Sequence, residues 1–240
     1  MTLPSTARAT AAAVHQPKIG TVMSAALTPY RLAEQFSICT ALDIERETKQ
    51  LLTPANKALV RAAVASPPTT FDQATFNLWS AASDLIEKLP TTVQIEAATI
   101  EIATAISTAP TERQIQYLIG AMLDGLGIVA SDANDGYIGA LTYTLSELEP
   151  SADERQHATD VPCHIPVAAL ARTVKHLWQS YGETYGRPPP ISQIRDHCAT
   201  GRYKLIVMRD NIGRIAHQRR VLQYVVAVTE RMPGPPGDDW

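Results

Sequence analysis

The residues that could do chemistry are few, and two adjacent pairs stand out: Cys163-His164 and His197-Cys198. Thiolate and imidazole are the usual ligands of structural zinc. Neighbouring residues rarely hold one ion together, however, and the chain contains neither a C-x-x-C nor an H-x-x-x-H spacing. The spacing therefore predicts no metal site. Cys198 lies on an apolar helical face and is expected in the core. Asp132–Gly136 looks like the opening of a calcium loop, but its glycine falls one place early and the twelfth position holds no glutamate. Asp132 and Asp135 read more simply as helix caps. The chain has no G-x-G-x-x-G, no G-x-x-x-x-G-K-[ST], no G-x-S-x-G and no H-E-x-x-H. The sequence thus names no catalytic residue and no cofactor, and the expectation is a protein that is not an enzyme.

Positive charge is the remaining chemical signal, and it is unevenly spread. Residues 1–190 carry nineteen acids against thirteen Lys and Arg, whereas residues 191–232 carry eight Lys and Arg against three acids, within a net charge of -3. Such a basic end on an acidic body points mildly to nucleic acid or an acidic protein. The candidate phosphate-contacting residues are Arg195, Arg202, Lys204, Arg209, Arg214, Arg219 and Arg220. A simpler reading makes them a solvated helix surface. Trp178, Tyr181 and Tyr185 flank the turn before this segment and could stack on bases, although the spacing of Trp178 and Tyr181 suits a core.

The elements that position these residues follow from apolar spacing. Val167, Leu170, Ala171, Val174, Leu177, Trp178 and Tyr181 recur at steps of three and four, which predicts one helical face with Arg172, Lys175 and Gln179 toward water. Gly182, Gly186 and Pro188–Pro190 break this helix. A short helix is expected from Ile191 to Cys198, then a break at Ala199-Thr200-Gly201, then a basic helix carrying Leu205, Met208, Ile212 and Ile215. Helix, short turn and basic helix is the layout of a helix-turn-helix. The last apolar run, VLQYVVAVTERM, is read as a continuation of that basic helix.

Upstream, Thr28-Pro29 and Thr53-Pro54 are helix starts, with the first helix expected to reach about Leu52. Thr70 with Gln73, and Thr111 with Gln114, fit capping boxes. Trp79, Ala82, Leu85, Ile86 and Leu89 mark one helix. Ile95, Ala98, Ile102 and Ile106 mark another, with a strand competing over 92–95 because of the β-branched residues. Ile115, Leu118, Ile119, Met122, Leu123 and Leu126 give the cleanest helical period, closed by Gly125 and Gly127. Tyr137, Ile138, Leu141, Leu145 and Leu148 mark the next. Residues 151–164 are polar and broken and read as a linker.

Together with an aromatic content of only 6% and no long alternating run, this predicts an all-α multi-helix bundle, with two helical subdomains as one arrangement. The expected divisions are a flexible arm (1–27), a helical N-terminal domain (28–110), a helical domain with the basic segment (111–232) and a disordered tail (233–240). Three scattered cysteines suggest a reducing compartment. No signal-peptide core or membrane span is apparent, so the expected location is the cytoplasm.

The helical series ERQIQYLIGAML, YIGALTYTLSE, IPVAALARTVKHLW and RPPPISQIRDHC, within residues 111–198, resembles small helical modules of phage and prophage replication proteins, of the replisome-organiser or helicase-loader kind. The resemblance implies a non-enzymatic adaptor that touches DNA or a replicative helicase. RPPPISQIRDHC also resembles the opening of a winged-helix regulator. The alternative of a different class is a helical protein–protein interaction or structural protein with no nucleic-acid contact. Convergence of the basic residues on one exposed face separates the two.

Overall fold

The computed structural model describes residues 38–65, 68–128, 132–157, 161–181 and 187–233. The described residues form nine helices and no strand: α1 (Cys39–Leu51), α2 (Pro54–Ala65), α3 (Gln73–Lys88), α4 (Thr92–Ser107), α5 (Glu112–Gly125), α6 (Asp132–Ser146), α7 (Ala152–His157), α8 (Val167–Ser180) and α9 (Ile191–Glu230). The chain is all-α, as its composition implies. The expected arm 1–27, the start of the helix expected from Thr28, and the tail beyond Pro233 lie outside the described residues.

The helices begin where local chemistry satisfies their orphan amides. Thr111 and Gln114 make the reciprocal capping box expected of them at the start of α5. Thr91 and Gln94 make another at α4, which fixes residues 92–95 as helix despite their branched side chains. At α3 the expected Thr70–Gln73 box does not form. Asp72 is the cap instead, accepting from the Thr75 amide at 2.8 Å, while the Thr75 hydroxyl donates back to the Thr70 carbonyl. That amide holds the Asp72 carboxyl below the usual carboxylate range. A carboxylate at a helix N-terminus also meets the positive end of the helix dipole. α6 begins at Asp132, which puts Asp135 in its first turn.

α9 is the spine. At 40 residues it is about 60 Å long, and it packs against α1, α2, α3, α4, α6 and α8. The helix break expected at Ala199-Thr200-Gly201 does not exist, nor does a turn ahead of a separate basic helix. Gly201 is helical, and a Cβ added there would lie 3.2 Å from the Ala169 Cβ. The glycine allows α8 and α9 to approach closely and does not end a helix. A second close approach joins α5 to α8, where a Cβ on Gly125 would fall 2.5 Å from the Trp178 ring. The chain then leaves α5 through Gly127, whose φ of 70° is left-handed and suits glycine.

Two apolar clusters hold the bundle. The larger draws on α1, α4, α5, α6, α8 and the first half of α9, with Ile102, Leu118, Ile119, Met122, Leu170 and Leu205 all buried. It therefore runs across residue 110, where the sequence suggests a domain boundary. The smaller joins α2 and α3 to the second half of α9 through Val60, Ala82, Leu85, Leu222 and Val225. Removing each such valine, leucine, isoleucine or methionine side chain from water contributes about 1.5–3 kcal/mol. Cys198 sits in the larger core, as its spacing predicts, and burial pushes its thiol up to about 12. Arg172, expected to face water, is instead half-buried near Cys39 and Glu101.

Candidate functional site

The seven basic residues proposed to meet phosphate do not share a surface. Arg202 is fully buried. Its Nε and Nη2 donate to Glu154 Oε1 and Oε2 at 2.8 and 2.9 Å. Nη1 donates to the carbonyls of Leu148 (3.0 Å), His164 (3.4 Å) and Pro162 (3.5 Å), and Nη2 also to that of Glu149 (3.2 Å). Arg202 thus fastens α9 to residues 148–164 and cannot reach a nucleic acid, which corrects its assignment as a phosphate contact. Burial works against the Glu154 charge, but hydrogen bonds from Arg202 and the Ser151 amide outweigh it and hold the carboxyl below its ordinary value.

Arg219 is also engaged internally. Its Nη1 donates to the carbonyls of Ile86, Leu89 and Pro90 at 3.0, 3.1 and 3.0 Å. These lie at and just beyond the C-terminal end of α3, where unpaired carbonyls and the negative end of the dipole attract a cation. Arg209 is half-buried and bonded to Asp210 at 3.2 Å, and Arg195 is exposed but paired with Asp196 at 3.1 Å. Arg214 is exposed, with its Nε 3.4 Å from the Asp210 carbonyl. Lys204 and Arg220 are exposed. On a helix of 3.6 residues per turn, Lys204, Arg214 and Arg220 point about 80° to 160° apart and are spread over about 24 Å. They make no common face.

Residues that the spacing did not single out have clearer roles. Glu154 lies in the stretch read as a linker, yet it is 4% exposed. It starts α7 as part of a capping arrangement: the Ser151 amide donates to Glu154 Oε2 (2.8 Å), and the Glu154 amide to Ser151 Oγ (3.2 Å). The S-x-x-E pattern carries that signal in the sequence; its ion pair with Arg202 leaves none.

Two surface features remain. On α4 the side away from the core carries Val93, Ala97, Ile100 and Thr104, at steps of four, three and four, all exposed. Val93 is 74% and Ile100 67% exposed. The second feature is a pair of rings: His176 of α8 and His197 of α9 face each other with ring centroids 5.1 Å apart and planes inclined at 58°. Burial, then His176 and Lys204, hold the His197 imidazole below its ordinary pKa, against an opposing pull from Asp196. His197 also lines an open groove of about 350 Å3 with Pro190, Ser192, Gln193, Asp196 and Thr200. Beside it, the Tyr137 hydroxyl donates to the Pro189 carbonyl at 2.6 Å. Burial, then Tyr181, raises the Tyr137 pKa.

Among the described residues, no three His, Cys, Asp or Glu side chains gather as a metal-ligand group. No described helix is long and apolar enough to cross a membrane. Compared with known proteins, the chain matches no family model, no curated protein and no solved structure.

Proposed function

We propose that this chain is a non-enzymatic helical interaction module that binds another protein through the outward face of α4. The observation that carries the reading is that face itself. Val93, Ala97, Ile100 and Thr104 form an uncharged seam, alternating large and small residues, on a helix whose opposite side is already buried. A 4-3-4 spacing of exposed apolar and small residues suits the seam of a partner helix. Exposed aliphatic residues grouped in this way mark interaction surfaces more often than isolated ones do.

The direct nucleic-acid reading is weaker on the same geometry. Phosphate binding depends on several cations acting together, whereas Arg202 and Arg219 are spent inside the fold and Arg195 and Arg209 have acidic neighbours. A replicative helicase, the protein partner that the resemblance to replisome organisers and helicase loaders implies, would be compatible with an α4 docking surface.

The test compares the native chain with Val93→Lys/Ile100→Lys. Both positions are solvent-exposed, so the variant should keep the native circular dichroism and melting temperature. The expected result is one protein recovered stoichiometrically on the native chain and lost on the variant. Equal recovery on both, or none on either, would overturn the docking surface.

A further inference from the structure

We propose that His176 and His197 form a two-imidazole clasp for a borderline divalent transition-metal ion of the zinc, nickel or copper type, with water in the remaining positions. Sequence spacing hides this pair, because the two residues lie on different helices, but the packing of α8 on α9 brings the rings together. The distance fits a shared ion. A metal–nitrogen bond of about 2.1 Å places an ion about 3.2 Å from each ring centroid, and a tetrahedral angle then separates the centroids by about 5.2 Å. The observed separation is 5.1 Å, with the rings tilted and not stacked.

The surroundings also fit. Among the described residues neither ring takes part in a hydrogen bond that would occupy its nitrogens. His176 is exposed and His197 half-exposed at the edge of the open groove, so an ion can enter and keep water ligands. The pair sits on a firm base, since the close contact of Gly201 with Ala169 fixes α8 against α9 nearby. Imidazole nitrogen selects zinc, nickel and copper over magnesium and calcium, which prefer oxygen. Asp196 is turned to Arg195 and is not needed as a ligand.

The experiment is a calorimetric titration of the full chain with Zn2+ and, separately, Ni2+, with Mg2+ as the contrast and thermal melting as a second readout. One ion per chain and a raised melting temperature are expected, because an ion that binds only the folded state stabilises it. His176→Ala changes an exposed side chain and should fold normally. It is expected to abolish the 1:1 isotherm and the melting shift. His217→Ala, on an exposed position of α9 about 30 Å away along the helix axis, should leave both unchanged. Absence of Zn2+ and Ni2+ binding would overturn the proposal. So would binding that survives in His176→Ala, which would place the ion elsewhere on the chain.

Discussion

Arg202 has five N–H donors, and every acceptor they reach lies between Leu148 and His164. A buried pair of this kind is costly to break from one side, because the surviving charge stays desolvated. Arg202→Met, which keeps much of the volume, is therefore expected to lower unfolding stability by about 3–5 kcal/mol, measured by urea denaturation. Arg202→Met/Glu154→Leu should cost clearly less than the sum of the two single changes. The same pair sets an acid limit. Because the folded Glu154 carboxyl lies below its ordinary value of 4.5, its contribution is complete above that value. It is lost as the pH falls through the folded pKa. The stability gap between the native chain and Glu154→Gln should accordingly shrink as urea midpoints are followed from pH 7 to about pH 3. A gap independent of pH would show that the Glu154 charge contributes nothing. None of this is legible in the sequence at position 202. An arginine on a basic run looks solvated when a helix break is expected at Ala199-Thr200-Gly201; only in the continuous α9 does it share a face with Cys198 and Leu205.

At the scale of elements, start signals carried more information than stop signals. Thr53-Pro54 and Thr111-Gln114 open helices as their chemistry dictates, since a cap is a contact among residues close in sequence. Gly201 misleads for the opposite reason. A glycine that ends a helix and one that lets two helices touch look the same until the second helix is in place. Its counterpart in α5 gives a direct test. Gly125→Ala would push a Cβ into the Trp178 ring, and despite alanine's higher helix propensity it is expected to destabilise by about 1–3 kcal/mol. Pairing it with Trp178→Leu should relieve part of that loss, read by thermal melting. Arg219 is a second element-scale device. Arg219→Ala removes three hydrogen bonds to carbonyls at the end of α3. It should cost about 1–3 kcal/mol, with Arg219→Lys recovering part of it, because all three bonds come from the single nitrogen Nη1 and one ammonium group carries three donors.

Across the whole molecule, α9 gathers both apolar clusters along one axis. Its length explains its composition: apolar residues face different helices along its course, and its cations fall wherever the surrounding packing leaves room or offers a carbonyl. The all-α class, the α5 and α8 faces and the core position of Cys198 were legible because each depends on periodicity within one helix. The dispersal of the basic residues, the Glu154 pair and the meeting of His176 with His197 depend on which helices become neighbours, and a single sequence does not encode that locally.

The central proposal is that Arg202 and Arg219 of α9 serve the fold and that its exposed cations, which share no face, do not form a nucleic-acid interface. Its most direct test is a titration of the native chain with single- and double-stranded DNA at two salt concentrations, beside Lys204→Ala/Arg214→Ala/Arg220→Ala, which removes the exposed cations and leaves Arg202 and Arg219 in place. The account predicts no binding at low salt that the variant reduces. Binding that falls steeply with salt, through release of counterions, and that the variant loses would contradict it and return the basic segment to the role its charge first suggests.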